Sequence, residues 1–175
     1  MTPVSHPEPD LSLLSTPPEQ IPDLVAHPAP IWLELHTHTT GTSSIVAHVS
    51  NIEFVKWIDR SAEQALFSAG WSYQDLLDKQ AMFFVARHEI DYRGEAMAEE
   101  TLHVATWVRD IRRVKSWRDT VIWRIQDDEP MIVCTASTLW VHVDLETRKP
   151  CRIPPEMTEA LRPLQHDEAP WRVRS

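Results

Sequence analysis

Residues 45–70, IVAHVSNIEFVKWIDRSAEQALFSAG, decide how this chain is read. Ser50 followed three positions later by Glu53 has the form of a capping box, in which the hydroxyl accepts an early backbone N–H and the carboxylate reaches back to the cap. Ile52, Val55, Ile58, Ala62 and Leu66 then recur at three- and four-residue spacing, an apolar stripe at helical period, with Glu53, Lys56, Arg60 and Glu63 left to solvent. Gly70, free to take a left-handed conformation, follows the last periodic position and reads as the stop. The pattern predicts one helix of about eighteen residues. Its apolar face must lie on something large.

Downstream of that helix, SYQDLLDKQ opens with Ser72 three residues before Asp75 and predicts a short second helix. From residue 81 the period becomes strand-like. Residues 81–92, 99–112, 116–126 and 131–143 are rich in β-branched and aromatic side chains and predict a four-strand meander. Gly94 breaks the first pair, and Asp127, Asp128 and Pro130 mark the last hairpin. Prolines in LETRKPCRIPPEM end the sheet, and residues 157–161 predict a short terminal helix. Upstream, residues 31–38 alternate as a first strand, with Ile31, Leu33 and Leu35 opposite Trp32, Glu34, His36 and His38. Residues 39–44 form a turn-rich loop. Residues 1–30 hold eight of the fourteen prolines and predict an extended arm, pinned by Leu11, Leu13, Leu14, Ile21, Leu24 and Val25. The plan is α+β, an antiparallel sheet wrapped around one long central helix. It gives one domain over residues 31–162, between the arm and a tail at 163–175.

A net charge of −9 argues against a nucleic-acid partner, which calls for a basic face. Two cysteines, Cys134 in an apolar strand and Cys151 in a polar turn, make neither a metal pattern nor a disulfide framework and favour a reducing compartment. No apolar run approaches the roughly twenty residues that span a bilayer. The first residues lack the basic start and apolar run of a signal peptide. The expectation is a cytoplasmic protein with no membrane partner.

The segment HVSNIEFVKWID resembles the HVNNxxYLxWxx signature of the hot dog-fold acyl thioesterases, the superfamily that holds 4-hydroxybenzoyl-CoA thioesterase and the plant acyl-ACP thioesterases. His48, Val49 and Asn51 match, and Ser50 replaces the first Asn. IDYRGEAMAEETLHVATWV, KSWRDTVIWRI and TRKPCRIPPEM are similar to the family's later regions, so the resemblance covers residues 31–156. It implies hydrolysis of an acyl-CoA or acyl-carrier thioester without a cofactor or metal, in a homodimer or homotetramer whose sites lie at the subunit contact. His48 and Asn51 would orient the thioester or the water. The helix start at Ser50, Asn51 and Ile52 offers uncompensated N–H groups and the positive end of the dipole to a carbonyl oxygen.

The family also carries an acidic residue four to seven positions before this histidine. Here no Asp or Glu lies between His36 and His48. Substitutes are Glu34 or the His36/His38 pair, Asp59 or Glu63 on the helix, or a hydroxyl of Ser43 or Ser44. Each helix carboxylate also reads as an ordinary solvated charge, and the two serines as turn formers. Arg112, Arg113, Lys115, Arg148 and Lys149 are candidates for the phosphates of coenzyme A, or plain turn charges. The eight tryptophans read as core or subunit contacts. Two other readings stand beside this one. LHTHT resembles the HxH opening of metal-dependent hydrolases, with His36 and His38 sharing a strand face. A hot dog domain without its acid could also bind an acyl-CoA, or serve as a structural subunit, without turnover.

Overall fold

The computed structural model describes residues 10–42 and 45–172. The chain runs β1 (Asp10–Leu13), β2 (Ile31–His36), a 3₁₀ turn (Thr39–Gly41), α1 (Asn51–Ser68), α2 (Tyr73–Asp78), β3 (Ala81–Tyr92), β4 (Thr101–Arg112), β5 (Lys115–Gln126), β6 (Glu129–Asp144) and α3 (Pro155–Leu161). All strands join one antiparallel sheet in the order β1-β2-β4-β5-β6-β3, and α1 packs on one face of it. This is the α+β wrap expected from the sequence.

The central helix ends where its residues dictate, but it is turned from the expected face. Ser50 accepts the Ile52 N–H at 3.2 Å, while Glu53 bonds Lys56 at 2.7 Å instead of reaching back, so only half of the capping box forms. The cap's own N–H donates to Gly41 O at 2.9 Å and leaves the Glu53 carboxylate nothing to accept there. At the other end Gly70 has φ +87. Its N–H reaches Phe67 O and that of Trp71 reaches Leu66 O, the two crossed bonds of a Schellman stop. The buried face is Phe54, Trp57, Ile58, Ser61, Ala62 and Ala65. Ile52 is 66% exposed and Val55 36%. At about 100° per residue the expected stripe is rotated by about 90° from the one that packs. The aromatic pair accounts for the turn: Phe54 and Trp57 meet Leu33, Leu35, Val104 and Ile122, and each contributes about 2 kcal/mol or more on burial.

The four C-terminal strands do not form a meander. β3 pairs with β6 and lies at the sheet edge, so the connection at residues 93–100 must cross two strands to reach β4. Its route is visible in its bonds. Arg93 and Gly94 donate to Val133 O on β6, Arg124 on β5 donates to Glu95 O, and Ala96 O accepts the Val49 N–H ahead of α1. An eight-residue link spans the roughly 14 Å of three strand spacings, so adjacency in sequence was no guide to pairing. The β5–β6 hairpin is as expected, with Asp127 and Asp128 both at positive φ.

The proline-rich arm is more structured than its composition suggests. Residues 10–16 carry no proline, and β1 pairs with β2 from Asp10↔His36 to Leu13↔Leu33, capping an edge that would otherwise stand open. Farther along, Leu24 and Val25 pack with Leu164 and Trp171 on the sheet face opposite α1, over Ala105, Trp107, Val121 and Trp123. Arm and tail together therefore cover a second core.

Candidate active site

Two places on α1 carry polar groups with chemical use. The first is its start. Val49 bonds Ala96 O at 2.7 Å and His48 bridges Met97, which fixes the histidine against the β3–β4 connection. His48 Nδ1 is buried without a hydrogen-bond partner among the described residues, an arrangement structural side chains rarely leave. Asn51 is exposed, and with the Ile52 N–H taken by the cap, its backbone N–H finds no acceptor among the described residues. The helix start thus presents one open donor at the positive end of the dipole. Gly41 supports it, because a Cβ there would lie 2.8 Å from Glu53 Cγ. Ser44, with Ser43, lies outside the described residues.

The second place is two turns on. Asp59 and Glu63 stand on the face of α1 that also carries exposed Ile52 and Val55. Both line a cavity of about 270 Å³ with Tyr73, Arg118 and Trp140. Partial burial, then the neighbouring Glu63 charge, raises the Asp59 carboxyl above its ordinary value, against the opposing pull of Arg60 and His88. Glu63 is engaged on both oxygens, by Arg60 at 2.8 Å and by the Tyr73 hydroxyl. Asp59 is the less committed carboxylate. His88 on β3 faces the same helix, its Nδ1 2.9 Å from Thr138 Oγ1, and burial lowers its pKa while Asp59 raises it.

Asn51 and Asp59 lie about 12 Å apart along one axis at about 1.5 Å per residue. One chain does not bring them onto a common atom. The basic candidates are farther still. Arg113 and Lys115 are exposed at the β4–β5 turn, whereas His48 sits near the opposite end of β4, about 35 Å of extended strand away. Arg112 is tied to Asp110 at 2.7 Å and to Asp167. His36 is exposed and contacts Glu34 Oε1 at 3.3 Å and Thr101 Oγ1 at 3.1 Å. Among the described residues no group of three His, Cys, Asp or Glu side chains is placed to hold a metal, so the paired-histidine reading gains no further ligand. Cys134 and Cys151 are free thiols.

The site residues expected from the sequence do not include His88, Arg118, Ser116 or Trp140. All four sit on strands where alternation marks a face but not what the face meets. His88 and Arg118 were visible as polar residues in phase with core positions, since Arg118 shares its strand face with Ile122 and His88 with Ile90.

Residues 39–161 match the family model of the thioesterase-like superfamily, and the chain belongs to that superfamily. No curated protein matches the sequence. Solved structures similar in fold include a 1,4-dihydroxy-2-naphthoyl-CoA thioesterase from Synechocystis, 19% identical with a TM-score of 0.69, over 79% of this chain and 99% of that one. A DHNA-CoA thioesterase from Staphylococcus aureus is 20% identical with a TM-score of 0.66, over 74% and 86%. A hypothetical protein from the same organism, solved in complex with CoA, is 10% identical with a TM-score of 0.69, over 77% and 82%. The fold is the hot dog fold. No helix among the described residues is long and apolar enough to cross a membrane.

Proposed function

We propose that the chain hydrolyses the thioester of an acyl-CoA or acyl-carrier substrate, with Asp59 as the general base. The observation that carries this is a helix carboxylate raised above its ordinary value at the rim of an open cavity, in a chain that lacks an acid in the loop before His48. Water attacks the carbonyl carbon as Asp59 takes its proton. The oxyanion accepts from the Asn51 N–H at the helix start. The tetrahedral intermediate then expels the thiolate, which leaves as the thiol once it takes up a proton. His48, with Ser50 and Ile52, positions the thioester beside that donor.

The 12 Å between the two places on one helix is bridged by a second copy. β3 has an open edge and exposed Val85 and Tyr92, next to the exposed Ile52 and Val55 of α1. Pairing there about a two-fold axis covers an unpaired edge. It also sets Asp59 of one copy against the α1 start of the other and gives exposed Arg113 and Lys115 a route to the coenzyme phosphates of the partner's site. The activity named for two CoA-thioesterase neighbours, and the CoA bound to a third neighbour, are consistent with such a substrate.

The test is thiol release from short, long and aromatic acyl-CoA esters by wild type, His48→Ala and Asp59→Asn. Both variants should lose turnover, and a refolded equimolar mixture should recover about a quarter of it, since only mixed dimers hold one intact site. No turnover on any ester, with acyl-CoA still bound, would select the non-catalytic binding domain.

A further inference from the structure

The floor of the 270 Å³ cavity contains a buried cation with no ion-pair partner among the described residues. Arg118 is 7% exposed and lies on the α1 side of β5, opposite Thr138 on β6. Its NH1 donates to Thr106 Oγ1 at 3.3 Å, and no carboxylate among the described residues lies in ion-pair range. Burial lowers it to about 10, so it remains charged at neutral pH, and the one charge that offsets this is Asp119 on the opposite face of the same strand. A guanidinium has five N–H donors, and a buried one left unpaired is costly. Two residues along, Ser116 faces Trp140 across the β5–β6 ladder on that same side. Ser116 is buried, and Trp140 Nε1 is buried with no acceptor among the described residues.

The cavity therefore has two ends of opposite character. At the floor lie Arg118, Ser116 and Trp140, buried or half-buried side chains that carry guanidinium, hydroxyl and indole N–H donors. At the rim stand Asp59 and Glu63. Between the two ends the walls are apolar, from Ala62, Leu66, Leu76, Met82, Phe83 and Leu161. The volume equals that of about nine waters and falls just below the usual range for ligand pockets, which suits a small group.

We propose that this cavity receives an acyl group ending in a carboxylate, held by Arg118 with Ser116 and Trp140 while its thioester lies at the Asp59 rim, so that the preferred substrates are CoA monothioesters of short dicarboxylic acids. The inference rests on the thioesterase reading for the thioester end alone; binding at the floor does not require turnover.

The experiment compares kcat/KM for adipoyl-CoA and hexanoyl-CoA, esters of equal chain length that differ in the terminal carboxylate. It is paired with calorimetric titration of free adipate and of hexanamide, a chain of the same length with no carboxylate. Wild type should favour adipoyl-CoA by about tenfold to a hundredfold, the range of a charged hydrogen bond, and should bind adipate but not hexanamide. Arg118→Met should bring the ester ratio close to one, chiefly through KM, and abolish adipate binding. Trp140→Phe, which keeps an aromatic ring and removes the donor, should lower the ratio without loss of the fold. Adipate binding lost in Arg118→Met, with neither ester hydrolysed, supports the floor site and removes the thioesterase reading. Hydrolysis of both esters at equal rate without adipate binding keeps that reading and overturns the floor site, as does any failure of wild type to bind adipate.

Discussion

At the scale of the residue, environment separates side chains of the same type. Asp59 and Asp119 are both raised by burial, yet they differ in use. Asp119 is fully buried, bonded to Arg109 at 2.9 Å and Ser137 at 2.7 Å, and is pushed up to about 6. Removing it strands the Arg109 charge, so Asp119→Ala should cost about 3–5 kcal/mol in urea unfolding. The sign of its linkage follows from the raised value: the folded state favours the neutral acid, so a penalty present above about pH 6 is relieved as pH falls toward the ordinary aspartate range. Wild type should therefore lose less stability from pH 7 to pH 5 than Asp119→Asn does. Asp59 borders open space instead, and as a base it must be ionised. The acid limb of kcat/KM should lie above the ordinary aspartate value. It should vanish with the residual activity of Asp59→Asn.

At the scale of the element, α1 is defined by its ends. Gly70 has φ +87, and a Cβ added to it would meet nothing within 4 Å, so the cost of Gly70→Ala is backbone strain alone, about 1 kcal/mol by thermal unfolding. Gly41 is the opposite case, with ordinary space denied by Glu53 Cγ at 2.8 Å. Gly41→Val should displace the loop that holds the Ser50 N–H and lower turnover more than stability, read as activity against melting temperature. The helix limits were legible because caps are local chemistry. Its buried face was not, because Ile52-Val55-Ile58 and Phe54-Trp57-Ile58 both satisfy a helical period. Only the sheet chooses between them.

At the scale of the whole molecule, the two sheet faces have different occupants. One holds α1 and the cavity; the other is roofed by the arm and the tail through Leu24, Val25, Leu164 and Trp171. The roof leaves the β3 edge and the outer side of α1 open to a second copy. A dimer is expected by light scattering. Deleting residues 163–175 should bare Trp107, which meets Trp171 edge-on at 6.5 Å, and should lower the melting temperature and promote aggregation.

The sequence by itself determined the fold class, the limits of the central helix, the second helix with its capping box, the last hairpin and the His48–Asn51 motif. Each of these is written in residues within a few positions of one another, where caps, turns and periodicity act. Tertiary structure alone decided that β3 pairs with β6, that the arm supplies a strand, which face of α1 is buried, and that Asp59 shares a cavity with Arg118 some sixty positions away in the chain. Those outcomes depend on which surfaces meet after long loops close, and the closing of a loop leaves little trace in the residues that close it.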